Sequence, residues 1–248
     1  MGELGKVKSL LETLAYGEKS CKCLNGAVRG RGPFVTISRQ AGAGGNSLAK
    51  EILRQLRERE GPLLSGWQSF NQELCKKITE EPGLNVSLKS LLDSEYHSEI
   101  EDMLEEIVTG SSPQDAVNKK IFELMRTLAV FGKAILVGRG GVCLTRDLPL
   151  GVHVRLVAPL EVRVKRMGGL LGLNPKKACE LVKTQDRARA KFVKRYFDRD
   201  IEDALLYDAV WNTGTTPIDQ IAKAVVGMIE SKACLCMQEE GRFLVKRG

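Results

Sequence analysis

The 248-residue chain has 43% hydrophobic and 28% charged residues, the balance of a soluble globular protein with one well-buried core. Its apolar runs are broken by charge well short of the ~20 residues a membrane helix needs, and no charged-then-apolar leader opens it, so neither a membrane span nor a secretory signal is expected. A net charge of +7 suits an anionic partner, nucleotide phosphates or nucleic acid, while 5% aromatic content argues against a stacking platform for single strands.

In chain order, residues 1–32 read as an N-terminal helical extension and linker. Val7, Leu10, Leu11 and Leu14 have helical spacing that Gly17 stops, and Gly26 to Pro33 is a Gly/Arg linker. Gly2 lies where a myristoyl chain would attach, but Lys6 stands where that signal takes Ser or Thr. Phe34 to Ser38 is a β-rich run, followed by a glycine cluster and a helical stretch from Ser47 to Arg59. Trp67 to Phe70 predicts a second short strand, and Asn71 to Ile78 a helix. Residues 84–131 are mostly helical in pattern, with a break at Gly110-Ser111-Ser112-Pro113. Ala134 to Val137 is wholly apolar, as a strand covered on both faces requires, and runs into Gly138-Arg139-Gly140-Gly141. Val152 to Val157 predicts another strand, Leu160 opens a basic helix behind Pro159, and Asp208 to Asn212 is the last strand. Ile218 to Ile229 is the last regular helix, with Thr216-Pro217 at its cap and first turn. Strands alternating with helices predict βαβ units and a parallel α/β sheet. One domain is expected over 33–230, with a tail over 231–248. The seven cysteines read as reduced thiols in a cytoplasmic protein. Cys21-Lys22-Cys23 and Cys234-Leu235-Cys236 are spaced too closely for ordinary zinc ligands. His97 and His153 read as structural.

The glycine cluster carries the chemistry. A phosphate loop reads G-x-x-x-x-G-K-[ST]: glycines let backbone amides turn inward on an anion, the helix N-terminus adds positive potential, and the lysine bridges the outer phosphates. The window here is Arg39-Gln40-Ala41-Gly42-Ala43-Gly44-Gly45-Asn46-Ser47. The preceding strand, the glycines and Ser47 fit. Arg39 replaces the first glycine, and Gly45 stands where the lysine belongs. Taken alone, these residues suit either an anion nest or a turn with no ligand. In the first case Gly42, Ala43, Gly44, Gly45, Asn46 and Ser47 are the cofactor-binding candidates, and the Ser47 hydroxyl is the candidate for a metal. The segment Glu161, Arg163, Lys165, Arg166 suits a lid that closes over a phosphate and a solvated helix face equally well.

Val35 to Gly45 resembles the "ITISR-x-x-GSGG" opening of the cytidylate kinase-like family, which follows its double glycine with arginine where this chain has Asn46. Val137 to Gly141 resembles that family's "VGRG". It also aligns with the "GRD-x-G" of ordinary cytidylate kinases, whose arginine holds the monophosphate and whose acidic residue, Gly140 here, helps to read cytosine. Val154 to Arg163 is similar to "HVRLVAPLEVR", and Asp186-Arg187-Ala188-Arg189 to a D-x-x-R element that contacts monophosphate and base. Tyr196 to Asp200 resembles "YF-x-RD", and Tyr207 to Gly214 resembles "YD-x-x-x-NTG". Asn71 stands where the family commonly has aspartate. The matches run from about residue 34 to 229. The resemblance implies a P-loop NTPase-type fold with helical NMP-binding and lid insertions, and ATP with Mg2+ as cofactors. It implies phosphorylation of a nucleoside monophosphate such as CMP. Arg39, Arg139 and Arg163 become the catalytic candidates; Arg139, Asp186 and Arg189 become the substrate-binding ones. Two further readings stay open: a nucleotide-binding regulatory protein with a degenerate loop, and a nucleic-acid-associated relative suggested by charge.

Overall fold

The computed structural model of the chain describes residues 32–59, 64–80 and 94–245. The predicted helix at 7–16, the linker to residue 31, Cys21 and Cys23 lie outside them. Five strands form one parallel sheet: β1 Phe34–Arg39, β2 Gln68–Asn71, β3 Ala134–Val137, β4 Gly151–Val157 and β5 Ala209–Asn212, in the order β2-β3-β1-β4-β5. Among the described residues eight helices surround it: α1 Gly45–Arg57, α2 Gln72–Glu80, α3 Ser94–Ile107, α4 Pro113–Phe131, α5 Gly141–Thr145, α6 Leu160–Leu171, α7 Pro175–Phe197 and α8 Ile218–Val245.

β1 is the axis of the sheet. Val35 pairs with Ile135 of β3 on one side and with Val152 of β4 on the other. Its period of two feeds two separate cores. Val35 and Ile37 point to a layer shared with Leu48, Ile52 and Leu56 of α1 and Ile221, Val225 and Ile229 of α8. Phe34 points to the opposite layer with Phe70, Leu136 and Phe122, Met125 and Leu128 of α4. All four residues of β3 are buried, as its apolar run requires. The chain crosses from one side of β1 to the other after β3, and open α/β sheets of this kind leave a crevice at the carboxyl ends of the strands beside such a crossing.

Local signals place the helix starts. α4 opens on a capping box in which Ser112 and Asp115 bond each other's backbone amides, with Pro113 in the first turn. α7 opens on Asn174, whose side chain accepts from Lys177 N, again followed by a proline. α6 and α7 form a helical hairpin on the carboxyl side of the sheet, the lid-like insertion of the expected fold. The last helix departs from the sequence reading: it runs past Ile229 to Val245. Nothing in Glu230 to Gln238 stops a helix, and that stretch is rich in good helix formers. No helix among the described residues is long and apolar enough to cross a membrane.

Candidate functional site

The strand ladder continues one residue beyond β1, with Gln40 N donating to Leu156 O at 2.9 Å. Ala43 N then donates to Gln40 O at 3.2 Å, turning the chain. Gly42 (φ +77°) and Gly44 (φ +89°) take left-handed conformations that glycine adopts without penalty. Gly42 is also forced small by its neighbour, because a Cβ there would stand 2.7 Å from the Arg163 carbonyl oxygen. Gly44 is the N-cap of α1 and no side chain caps it; the first helical bond is Leu48 N to Gly44 O at 2.9 Å. The amides of Gly45, Asn46 and Ser47 therefore belong to the open first turn of a helix, and the Asn46 and Ser47 residues are exposed.

Two helical residues hold the loop from outside. Arg163 of α6, 7% exposed, donates from Nε to Ala158 O at 2.8 Å and from Nη1 to Ala41 O at 3.3 Å. The same Nη1 pairs with Asp186 Oδ2 of α7 at 2.5 Å. The other oxygen of Asp186 accepts from Ala41 N at 2.7 Å and from Arg189 Nη1 at 3.3 Å. One turn beyond Arg163, Arg166 donates to Thr213 Oγ1 and O at 2.9 and 2.7 Å, and Thr213 Oγ1 donates to Ala43 O at 3.1 Å. The sequence reading assigned Arg163 to a transferred phosphate and Asp186 to an acceptor. In the structure both are engaged with the backbone of the loop, and Arg163 is buried against it.

Arg39 runs from the loop toward the end of β3. Its Cγ and Cδ lie where they would crowd a side chain at position 45, at 3.0 and 3.2 Å from a Cβ built on Gly45. Its guanidinium lies against Gly138, where a Cβ would overlap it. The arginine that begins the loop thus packs against the position where the usual motif has lysine.

Beyond Arg39 lies a cavity of about 250 Å³ whose polar lining includes Arg39, Arg139, Arg189, Ser38, Gln72 and Tyr207, with no aspartate or glutamate among the described residues of its wall. Burial, then the charges of Arg189 and Arg139, lower the Arg39 pKa to about 10, still charged at neutral pH. Burial is also the main cause lowering the Arg139 and Arg189 pKa values. Arg39 feels the charges of both neighbours, and Arg189 is offset in part by Asp186 at 3.3 Å, so an anion in the cavity relieves the Arg39 and Arg139 side of the wall.

Arg139 stands in a run of three left-handed residues, with φ of +91° at Gly138, +55° at Arg139 and +68° at Gly140. That turn, closed by Gly141 N to Gly138 O at 3.1 Å, aims Arg139 under α7. Its guanidinium lies over the Phe192 ring, 5.1 Å from the centroid, and Nη1 donates to Asn118 Oδ1 at 3.4 Å. Gly140 caps α5 in a left-handed conformation against Phe197, whose Cδ2 would stand 3.0 Å from a Cβ there, so no acidic side chain fits at this position. Asn71 caps α2 by accepting from Leu74 N at 2.9 Å, a task an aspartate performs equally well.

The sequence places Arg39 on the loop and Arg139 and Arg189 at the acceptor; the structure brings all three to one wall. It missed Tyr207 and Arg155, which converge on Ser38 Oγ at 3.2 and 3.1 Å, and it missed Asn118 and Phe192 around Arg139. Tyr207 and Arg155 did lie inside quoted family motifs. Asn118 carried no signal within its predicted helix. His153 is buried, with Nδ1 2.8 Å from Thr36 Oγ1, a structural position as expected.

The sequence profile of the cytidylate kinase-like family matches residues 34–215. A cytidylate kinase of Methanothrix thermoacetophila is 25% identical over 182 residues, which is 73% of this chain and 88% of that protein. A uronate isomerase of Corynebacterium glutamicum is 30% identical over 98 residues, 40% of this chain; the chain spans only 19% of that protein's length. The crystal structure of an uncharacterized protein from Eubacterium ventriosum superimposes with a TM-score of 0.61 at 18% identity, over 80% of this chain and 98% of that one, and so shares its fold.

Proposed function

The chain belongs to the cytidylate kinase-like family, and from that premise we propose that it transfers the terminal phosphoryl group of ATP to a nucleoside monophosphate, CMP among them. The observation that supports this best is the arginine-lined cavity, with no carboxylate among the described residues that line it, that adjoins the open first turn of α1, with the Arg39 side chain lying between the two. An acceptor hydroxyl needs a base to take its proton, whereas an acceptor phosphate is already ionised at neutral pH. A wall of three arginines, of which among the described residues Arg189 alone pairs with a carboxylate, Asp186 behind it, suits the second kind. In the transfer, an oxygen of the acceptor phosphate forms a bond to the γ-phosphorus as the bond to the β–γ bridging oxygen breaks, giving ADP and a nucleoside diphosphate. Positioning and charge neutralisation carry such a step.

The residues fit the cofactors in part. The amides of Gly45 to Ser47 suit phosphate oxygens, with Gly42, Ala43 and Gly44 shaping the turn. The exposed Ser47 hydroxyl suits Mg2+, which when bound spreads charge over the outer phosphates. Among the described residues no cluster of three His, Cys, Asp or Glu could hold a metal, so the ion would rest on Ser47, water and phosphate oxygens. Arg39 takes the part of the absent lysine: it stays charged, and it lies against the position that lysine would hold. Arg139 and Arg189 bind the acceptor. Arg163 and Asp186 hold the loop in shape, and Arg163 acts on the reaction through that shape.

A second reading, a regulatory protein that binds nucleotide without turnover, is favoured by Gly45 and Asn46 and by the Asp186 carboxylate on a loop amide. Incubating the protein with ATP, Mg2+ and each of the common nucleoside monophosphates decides between them. The proposal expects ADP release that depends on a monophosphate and falls at least 100-fold in Arg39→Ala, a loss of the size seen for a transition-state charge contact. Nucleotide binding with no ADP release from any monophosphate overturns it in favour of the second reading.

A further inference from the structure

Among the described residues no carboxylate touches Arg139. Its Nε is buried without a hydrogen-bond partner, so its fixed contacts are the Phe192 ring and Asn118 Oδ1. Asn118 is 2% exposed on α4, and its Nδ2 donates to Tyr196 Oη at 2.8 Å. Tyr196 Oη donates to Asp115 Oδ1 at 2.6 Å. Asp115 is 1% exposed, and its carboxylate also accepts from Ser112 Oγ at 2.6 Å and from Arg195 Nη2 at 3.1 Å. The three buried polar residues come from two helices far apart in sequence, α4 and α7.

The direction of every bond in this chain is fixed. A guanidinium only donates, so Asn118 must turn its oxygen to Arg139 and its NH2 to Tyr196. The tyrosine oxygen therefore accepts, and its hydrogen goes to the only acceptor left, Asp115. Hydrogen bonds from Ser112 and Tyr196 hold the Asp115 carboxyl below its ordinary range, so it stays an acceptor at neutral pH. The result is an arginine oriented by a neutral amide, with the balancing carboxylate two residues away. A carboxylate in direct contact would fix the guanidinium equally well but would cancel the charge an anionic acceptor needs.

We infer that Asn118 and Tyr196 are positioning residues for the acceptor: they orient Arg139 and leave its charge unspent, so that it grips the acceptor's phosphate. This rests on the acceptor role of Arg139 proposed above. Neither residue touches the cavity as a binding group, and neither lies near the loop at Gly45 to Ser47, so their effect falls on the acceptor and not on ATP.

Calorimetric titration of the full chain with CMP, and separately with ATP, tests this in wild type, Tyr196→Phe, Asn118→Asp and Arg139→Ala. Tyr196→Phe keeps the ring that packs edge-on against Phe122 at 5.5 Å and removes only the hydroxyl. It removes the acceptor of the Asn118 NH2, leaving the Asn118 oxygen held toward Arg139 only by its second donor, Gln114 Nε2 at 3.3 Å, and is expected to weaken CMP about fivefold, the size of one hydrogen bond, with ATP changed less than twofold. Asn118→Asp sets a carboxylate on Arg139 and is expected to weaken CMP at least tenfold, again sparing ATP. In a Tyr196→Phe, Arg139→Ala pair, the effect of the hydroxyl should vanish, because the residue it acts through is gone. CMP binding that is lost in Arg139→Ala yet unchanged in both other variants overturns the relay alone. Equal weakening of CMP and ATP also overturns it, showing a general loss of packing. CMP binding that is absent in wild type, or intact in Arg139→Ala, overturns the acceptor site itself and the relay with it.

Discussion

Arg39 and Gly45 exchange the places of cation and space in the usual phosphate loop. The ordinary motif begins on glycine and puts its long side chain near the end. Here the long side chain starts the loop and glycine ends it, and the Arg39 methylenes occupy the volume beside position 45. The sequence shows both departures, but their connection was not legible there. Two residues six apart in a loop carry no signal that one fills the other's space. Arg139 was more legible, because a glycine on each side announces a backbone turn at the end of an apolar strand. His153 gives a prediction that belongs at this scale. Burial, its largest perturbation, lowers its pKa from 6.5 to about 4. Below pH 6.5 the unfolded chain takes up a proton that the folded chain refuses until about pH 4. The folded state thus loses stability as pH falls through that window and regains none on further acidification, by about 3 kcal/mol at most. Urea unfolding at pH 7 and pH 4.5 should show a drop that is smaller in His153→Gln; equal drops in both proteins contradict the assignment to this residue.

The elements that hold the loop are α6 and α7. The sequence gives Arg163 a catalytic part on a lid-like helix and Asp186 a part at the acceptor, but not the contacts these two make. Their pairing spans the helical hairpin, and Ala41 lies 145 residues from Asp186, a distance no periodicity reaches. Their observed partners make them struts of the phosphate loop. Asp186→Ala removes three bonds at once and leaves the buried Arg163 without its carboxylate. It is expected to lower the unfolding free energy by about 2–3 kcal/mol, and to weaken ATP as the loop loses its fixed form. Urea titration and ATP calorimetry check this; unchanged stability with a loss confined to CMP would return Asp186 to the acceptor. The long final helix was under-read for a different reason. A helix end is read from a stop signal, and Ile229 is followed by none.

For the whole molecule, the sheet was the most legible part. Ala134 to Val137 is an apolar run of strand length that suits a strand covered on both faces, and alternating elements allow few topologies. Strand order brings the ends of β1 and β3 side by side, and with them the 39–47 loop and the arginine-lined cavity proposed for the acceptor, with Arg39 between them. The account therefore makes one demand on the assembled site, that donor and acceptor lie side by side and are filled at once. A dinucleotide with adenosine and cytidine joined 5′ to 5′ through five phosphates tests it most directly. Calorimetry should find it bound at least 100-fold more tightly than ATP or CMP alone, since the second half binds within one molecule, and Arg39→Ala should remove most of that gain. Affinity no better than that of ATP alone would contradict the account.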